Sequence, residues 1–116
     1  MTGSHLRDAW LVERADALLA LCQDLIRRPS PNPPGDTRDV AARVRAELEA
    51  HGIAVETIAD QEHTPNLVAS IDGEGDGPHL VLNGHIDVFP VSASEVWSHD
   101  PWSGAVADGK VHGRGV

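Results

Sequence analysis

The stretch Leu80-Val81-Leu82-Asn83-Gly84-His85-Ile86-Asp87-Val88-Phe89-Pro90 is the most informative of the chain's 116 residues. Its opening apolar run reads as a short buried strand, because a strand covered on both faces carries consecutive rather than alternating apolar residues. Its second half reads as the carboxyl end of that strand, where open α/β sheets place their ligands. Residues two apart in an extended backbone share a face, so His85 and Asp87 project together while Ile86 and Val88 project oppositely. Gly84 leaves room for close approach of backbone or ligand, and Pro90 stiffens the exit.

Working toward the amino terminus, Asn66 to Ile71 alternates Leu67, Ala69 and Ile71 on one side, and Ile53 to Ile58 is rich in β-branched residues. Both read as strands. The loop Asp72 to Pro78, DGEGDGP, suits an exposed hairpin connection, so the strands it joins are expected to be antiparallel. Its Gly73-x-Gly75-x-Gly77 is not a phosphate cradle, since a strand rather than a helix follows and no lysine is present.

Two helices precede the strands. Leu11, Ala15, Leu18, Cys22 and Leu25 recur at spacings of four and three, which predicts a helix from about Leu6 to Arg28 with Cys22 as a small core residue on its stripe. Pro29 stops it, and RPSPNPPGD, Arg28 to Asp36, has four prolines and a glycine and reads as a stiff connecting loop. Asp36 or Thr37 is positioned to cap a second helix with Val40, Val44 and Leu48 on one face, ending at His51-Gly52. Past His85 periodicity is lost until Val106 to Val111, a tight hairpin with Asp108-Gly109 at its turn. The pattern is an α/β chain: two helices, then a mixed sheet with antiparallel hairpins.

Composition narrows the function classes. The formal charge is −9, from 9 Lys+Arg against 18 Asp+Glu, so no basic face for a phosphate backbone is available. No apolar run approaches the ~20 residues of a membrane span. The single cysteine, Cys22, forms no internal disulfide, and the amino terminus lacks the pattern of a secretory signal, which makes the cytoplasm the expected compartment. Residues 1–7, which include MTGSHL, are expected to be flexible or vector-derived, so His5 is set aside as a ligand.

An imidazole is a good zinc ligand, and metal-bound histidines usually give their second ring N–H to a carboxylate or carbonyl; Asp87 is placed to be that carboxylate for His85. By itself His-x-Asp is a weak signal that fits a surface His–Asp pair better than metal chemistry. A catalytic zinc normally takes three protein ligands, and none of His63, His79, His99 and His112 has a spacing that dictates a face shared with His85. Each is read as solvated or capping.

Three ordered motifs then carry a family resemblance. They are NLVASIDGEGDGPHLVLNGHIDVFPV, the loop Glu95-x-Trp97-x-x-Asp100-Pro101-Trp102-Ser103-Gly104, and the run Asp108-Gly109-Lys110-Val111-His112-Gly113-Arg114-Gly115. Together they resemble the acetylornithine deacetylase, succinyl-diaminopimelate desuccinylase and aminoacylase group, metallopeptidase family twenty. The proline-rich Ser30 to Gly35 segment is similar to that family's loop between its first two helices.

The resemblance implies that residues 1–116 are the amino-terminal part of a three-layer α/β/α zinc-peptidase catalytic domain, incomplete and without the dimerisation domain. His85 is similar to the first histidine ligand of one zinc in a two-zinc pair, and Asp87 matches the catalytic carboxylate that orients it. Trp97, Asp100, Pro101 and Trp102 match a loop shaping the surroundings, with Trp102 where the family often has phenylalanine. Arg114 is read as structural or as a support to the site. The implied reaction is hydrolysis of the amide of an N-acyl amino acid or dipeptide, with two zinc ions (cobalt and manganese being compatible donors' partners too) activating water and polarising the carbonyl. The implied glutamate base, the remaining ligands and the residues that select substrate have no counterpart here, so the chain alone is expected to be inactive, with the rest of its own catalytic domain as its partner and a homodimer as the full-length state. The alternative is a truncated relative acting as a binding or regulatory module; the coding sequence after the Val116 codon discriminates the two.

Overall fold

The computed structural model describes residues 3–116, so Met1 and Thr2 of the 1–7 segment lie outside the described residues. Helix α1 (Gly3–Ile26) begins slightly before the predicted Leu6 and ends two residues short of Arg28. The predicted stripe is less buried than its periodicity implies: Leu11 is 51% and Leu18 46% exposed, whereas Ile26 at the far end is buried. Among the described residues, burial on α1 is concentrated at its carboxyl end, and Cys22 is half-buried there.

Helix α2 (Arg38–Ala50) carries Val40, Val44 and Leu48 on one face as expected, with Val40 and Ala41 buried. Thr37 is its N-cap residue, but its side chain makes no capping bond. Asp36 does that work, accepting from the Arg38 backbone N–H at 3.2 Å and from the Arg38 guanidinium. At the other end Gly52, at φ 74°, closes a Schellman motif: Gly52 N–H donates to Glu49 O and Ile53 N–H to Leu48 O. The Asp24 carboxylate on α1 links the helices by accepting from Arg43 on α2, and it also accepts from Arg28 just past the end of α1.

Strands β1 (Val55–Ile58) and β2 (Asn66–Ala69) pair antiparallel, Val55 opposite Ala69 and Ile58 opposite Asn66. Arg45 of α2 ties onto this sheet through Val55 O and Thr57 Oγ1. Strands β3 (Ala105–Ala107) and β4 (Lys110–His112) form the predicted hairpin, with Asp108 at φ 51° and Gly109 at φ 72°. Two successive positive φ values define a type I′ turn, whose twist matches that of the paired strands.

The predicted third strand is corrected. Leu80, Val81 and Leu82 belong to no sheet and are 78%, 75% and 87% exposed, and the hairpin predicted around Asp72–Pro78 is not formed. The physical reason is the want of a ladder partner: residues 79–84 and β2 both line a cleft of about 580 Å³, and residues 80–82 have, among the described residues, no backbone hydrogen bond to a neighbouring strand. The architecture described is therefore two helices and two two-stranded antiparallel sheets, an α/β arrangement.

Candidate functional site around His85 and Asp87

The segment carrying His85 and Asp87 is fixed from one side by the proline-rich loop. Asn32 N–H donates to Val88 O at 2.9 Å and Val88 N–H to Ser30 O at 3.0 Å, a parallel bridge between Pro31 and Val88. The buried Ser30 hydroxyl donates to Ile86 O at 2.7 Å. The stiffness that proline gives the 28–36 segment is thus put to use in holding residues 86–88 extended.

On that segment His85 and Asp87 share a face, as the spacing of two predicts. His85 Nδ1 lies 2.8 Å from Asp87 O and 3.0 Å from Asp87 Oδ1. Both partners are acceptors, so Nδ1 carries the proton, and in the neutral ring Nε2 then keeps the lone pair, the form that binds a metal. The His85 side chain is 83% exposed. Asp87 is held below its ordinary carboxylate range, first by the Asn32 side-chain amide, which donates to Oδ2 at 2.9 Å, and then by the His85 ring. Asn32 is the residue that sequence reasoning missed. It lies 55 positions from Asp87, and the only pointer to it was the loop's resemblance to a family segment.

The other motifs converge behind this pair. Arg114 N–H donates to Pro101 O at 2.7 Å, and the Arg114 guanidinium meets both Glu95 carboxylate oxygens while lying 4.9 Å from the centre of the Trp97 ring. Asp100 Oδ1 accepts from Trp102 N–H at 2.7 Å, shaping the turn that delivers Trp102. Trp102, Arg114, Val88 and Leu25 line an open cavity of about 670 Å³ that His85 and Asp87 border.

Other histidines stay apart from the pair. His99 and His112 stack on each other, ring centroids 4.3 Å apart. His63 contributes its carbonyl, which accepts from Thr37 N–H. Among the described residues no three His, Cys, Asp or Glu side chains group to hold a metal. The donor set therefore fits a metal only as one well-prepared imidazole with its orienting carboxylate.

Comparison with known proteins bears on the family of the chain. Over 105 residues the chain is 46% identical to the succinyl-diaminopimelate desuccinylase of Methylobacterium radiotolerans, covering 87% of this chain and 26% of the relative. It is 42% identical over 101 residues to the enzyme of the same name from Xanthobacter autotrophicus, covering 84% and 26%. The chain belongs to the acetylornithine deacetylase and succinyl-diaminopimelate desuccinylase family. It is also 38% identical over 104 residues to the N-formyl-4-amino-5-aminomethyl-2-methylpyrimidine deformylase of Halalkalibacterium halodurans, covering 87% of this chain and 24% of that relative. No family model matches the chain. The chain spans about a quarter of the length of the curated relatives it matches. These family members are named for removing an acyl group, succinyl in two cases and formyl in the third. No helix among the described residues is long and apolar enough to cross a membrane.

Proposed function

We propose that the chain forms the amino-terminal portion of a dizinc amidohydrolase that removes the acyl group from an N-acyl amino acid or similar small amide. The observation that carries this reading is the His85–Asp87 pair, in which Nδ1 is engaged by Asp87 and Nε2 is free. In it His85 Nε2 is a zinc ligand. Asp87 fixes the tautomer and the plane of the ring, and its negative charge raises the basicity of the imidazole toward the metal. When bound, the metal pair supplies an activated water and a polarised scissile carbonyl. The names of the relatives support amide-linked acyl groups as the substrate class. Glu95, Trp97 and Arg114 hold the loop that brings Trp102 to the cavity lining.

Further chain completes the sheet and the ligand set in this reading. Its support is the exposed Leu80-Val81-Leu82 run facing a cleft, and the single prepared imidazole. The cytoplasm is the compartment assigned, and a homodimer the assembly.

The test is metal content and deacylation together. The zinc-loaded full-length protein is expected to hydrolyse N-succinyl or N-formyl amides, and His85→Ala is expected to lose both zinc and turnover. Unchanged zinc stoichiometry in His85→Ala would remove His85 from the site and overturn the reading.

A further inference from the structure

We infer that Asn32 is a positioning residue for the His85–Asp87 pair, holding the Asp87 carboxylate by its outer oxygen so that the inner oxygen faces the imidazole. The inference rests on the reading of His85 as a metal ligand and extends it to a third residue.

A carboxylate on a short side chain has two oxygens and free rotation about its last bond. One hydrogen bond to His85 leaves that rotation open, and a second bond to the other oxygen closes it. Asn32 Nδ2 lies 2.9 Å from Asp87 Oδ2 while Asp87 Oδ1 lies 3.0 Å from His85 Nδ1, so the three side chains form a line from amide to carboxylate to ring.

The Asn32 amide is itself oriented. A Cβ built on Gly35 would stand 3.2 Å from Asn32 Oδ1, so the amide oxygen lies over Gly35 and Nδ2 points to Asp87. Gly35 has φ 89°, a conformation that favours glycine, and its N–H donates to Pro31 O at 2.8 Å, closing the turn beneath Asn32. The backbone of Asn32 is anchored independently by its bond to Val88 O. The backbone of Asn32 is thus held without its amide, whose hydrogen bond goes to Asp87.

The experiment uses protein labelled with 15N in its histidine rings, first without metal and then with zinc. In the wild type His85 is expected to show a protonated Nδ1 and a bare Nε2. In Asn32→Ala and in Asn32→Asp, which keeps the shape but presents an anion to Asp87, the His85 Nδ1 resonance is expected to move as Asp87 Oδ1 turns away, with Asp87 O at 2.8 Å still holding the proton on Nδ1, and zinc affinity is expected to fall about tenfold, the lower end for the loss of an outer partner. A role confined to loop structure would move neither. Unchanged His85 ring nitrogens in both folded variants would overturn the inference. If neither variant folds, the Asn32 side-chain N–H signals of the wild type decide. A downfield shift that disappears in Asp87→Ala upholds the inference, and shifts equal to those of a free amide overturn it. The reading beneath it fails separately: zinc that leaves the wild-type His85 ring unperturbed would remove the metal role while the metal-free resonance result still stands or falls on its own.

Discussion

The Arg114 guanidinium sits 2.7 and 2.5 Å from the two carboxylate oxygens of Glu95, 19 residues earlier in the chain. The pair closes the irregular segment between the candidate site and the β3–β4 hairpin into a loop. Glu95 also accepts from Ser92 N–H and Trp97 Nε1–H, so one carboxylate gathers a backbone amide, an indole and a guanidinium. Arg114 Nε is buried with no hydrogen-bond partner among the described residues, which leaves the Glu95 contact as the main compensation for its charge.

Glu95→Gln keeps the shape and removes the charge. It is expected to lower Tm, and to do so more than Arg114→Leu, because it leaves the more buried arginine without its carboxylate, whereas Arg114→Leu leaves the more exposed Glu95 carboxylate in reach of water. Thermal unfolding of the two single variants and the double variant checks this. Strictly additive effects would show that the two residues do not act as a unit.

Gly113 and Gly115 of the Gly-Arg-Gly turn have a steric explanation. A Cβ on Gly113 would fall 2.5 Å from Ile26 Cγ2, and one on Gly115 2.8 Å from Val88 Cγ1. Gly113→Ala is expected to cost ~1–3 kcal/mol by overpacking against the buried end of α1. Ile26→Ala removes the opposing methyl, so the double variant is expected to be less destabilised than the sum of the singles. Urea unfolding midpoints measure this, and a full sum would place the clash elsewhere.

Much of this arrangement was legible in the sequence because it is local. The His85–Asp87 face followed from a spacing of two, the β3–β4 turn from Asp108-Gly109, and the end of α2 from His51-Gly52. What was not legible depends on residues far apart in the chain. Asn32 reaches Asp87 only because the 28–36 loop lies beside residues 86–88, and no local pattern encodes that neighbour. The apolar run at Leu80–Leu82 predicted a buried strand, yet an apolar run states only what a segment would bury, and burial requires a partner strand in register. The stripe on α1 failed for the same reason: periodicity marks a face, and what covers it is set elsewhere.

Acid is expected to weaken the fold through the carboxylates that arginines hold. Arg38 keeps Asp36 at about 2, and Arg43 followed by Arg28 keeps Asp24 below its ordinary value. A carboxyl lowered in the folded state contributes stability above its unfolded value of about 3.9, and that contribution is lost as pH falls through the folded value. Tm is therefore expected to be level near neutrality and to fall from about pH 4 toward about pH 2. Asp24→Asn, which removes the link between α1 and α2, is expected to lower the neutral plateau and flatten the acid limb. A Tm that does not change across that acid range would show that these pairs contribute nothing.

The Leu80-Val81-Leu82 segment leads to a prediction about self-association. Among the described residues its backbone makes no hydrogen bond to the protein, its three side chains are largely exposed, and the cleft beside it opens along β2. An extended apolar edge with unpaired N–H and C=O groups is a template for pairing with another chain, and proteins blunt such edges with charge, lysine above all. The 116-residue chain by itself is therefore expected to self-associate with rising concentration, as measured by light scattering. Val81→Lys is expected to suppress that association while leaving the α1–α2 and β3–β4 parts of the far-UV and tryptophan signals unchanged. Lysine at Asp76, in the neighbouring glycine-rich loop, adds positive charge without touching the edge and serves as the control. Both changes bring the net charge of −9 nearer zero and so weaken self-repulsion; if Asp76→Lys suppresses association as well as Val81→Lys does, the open strand edge does not govern it.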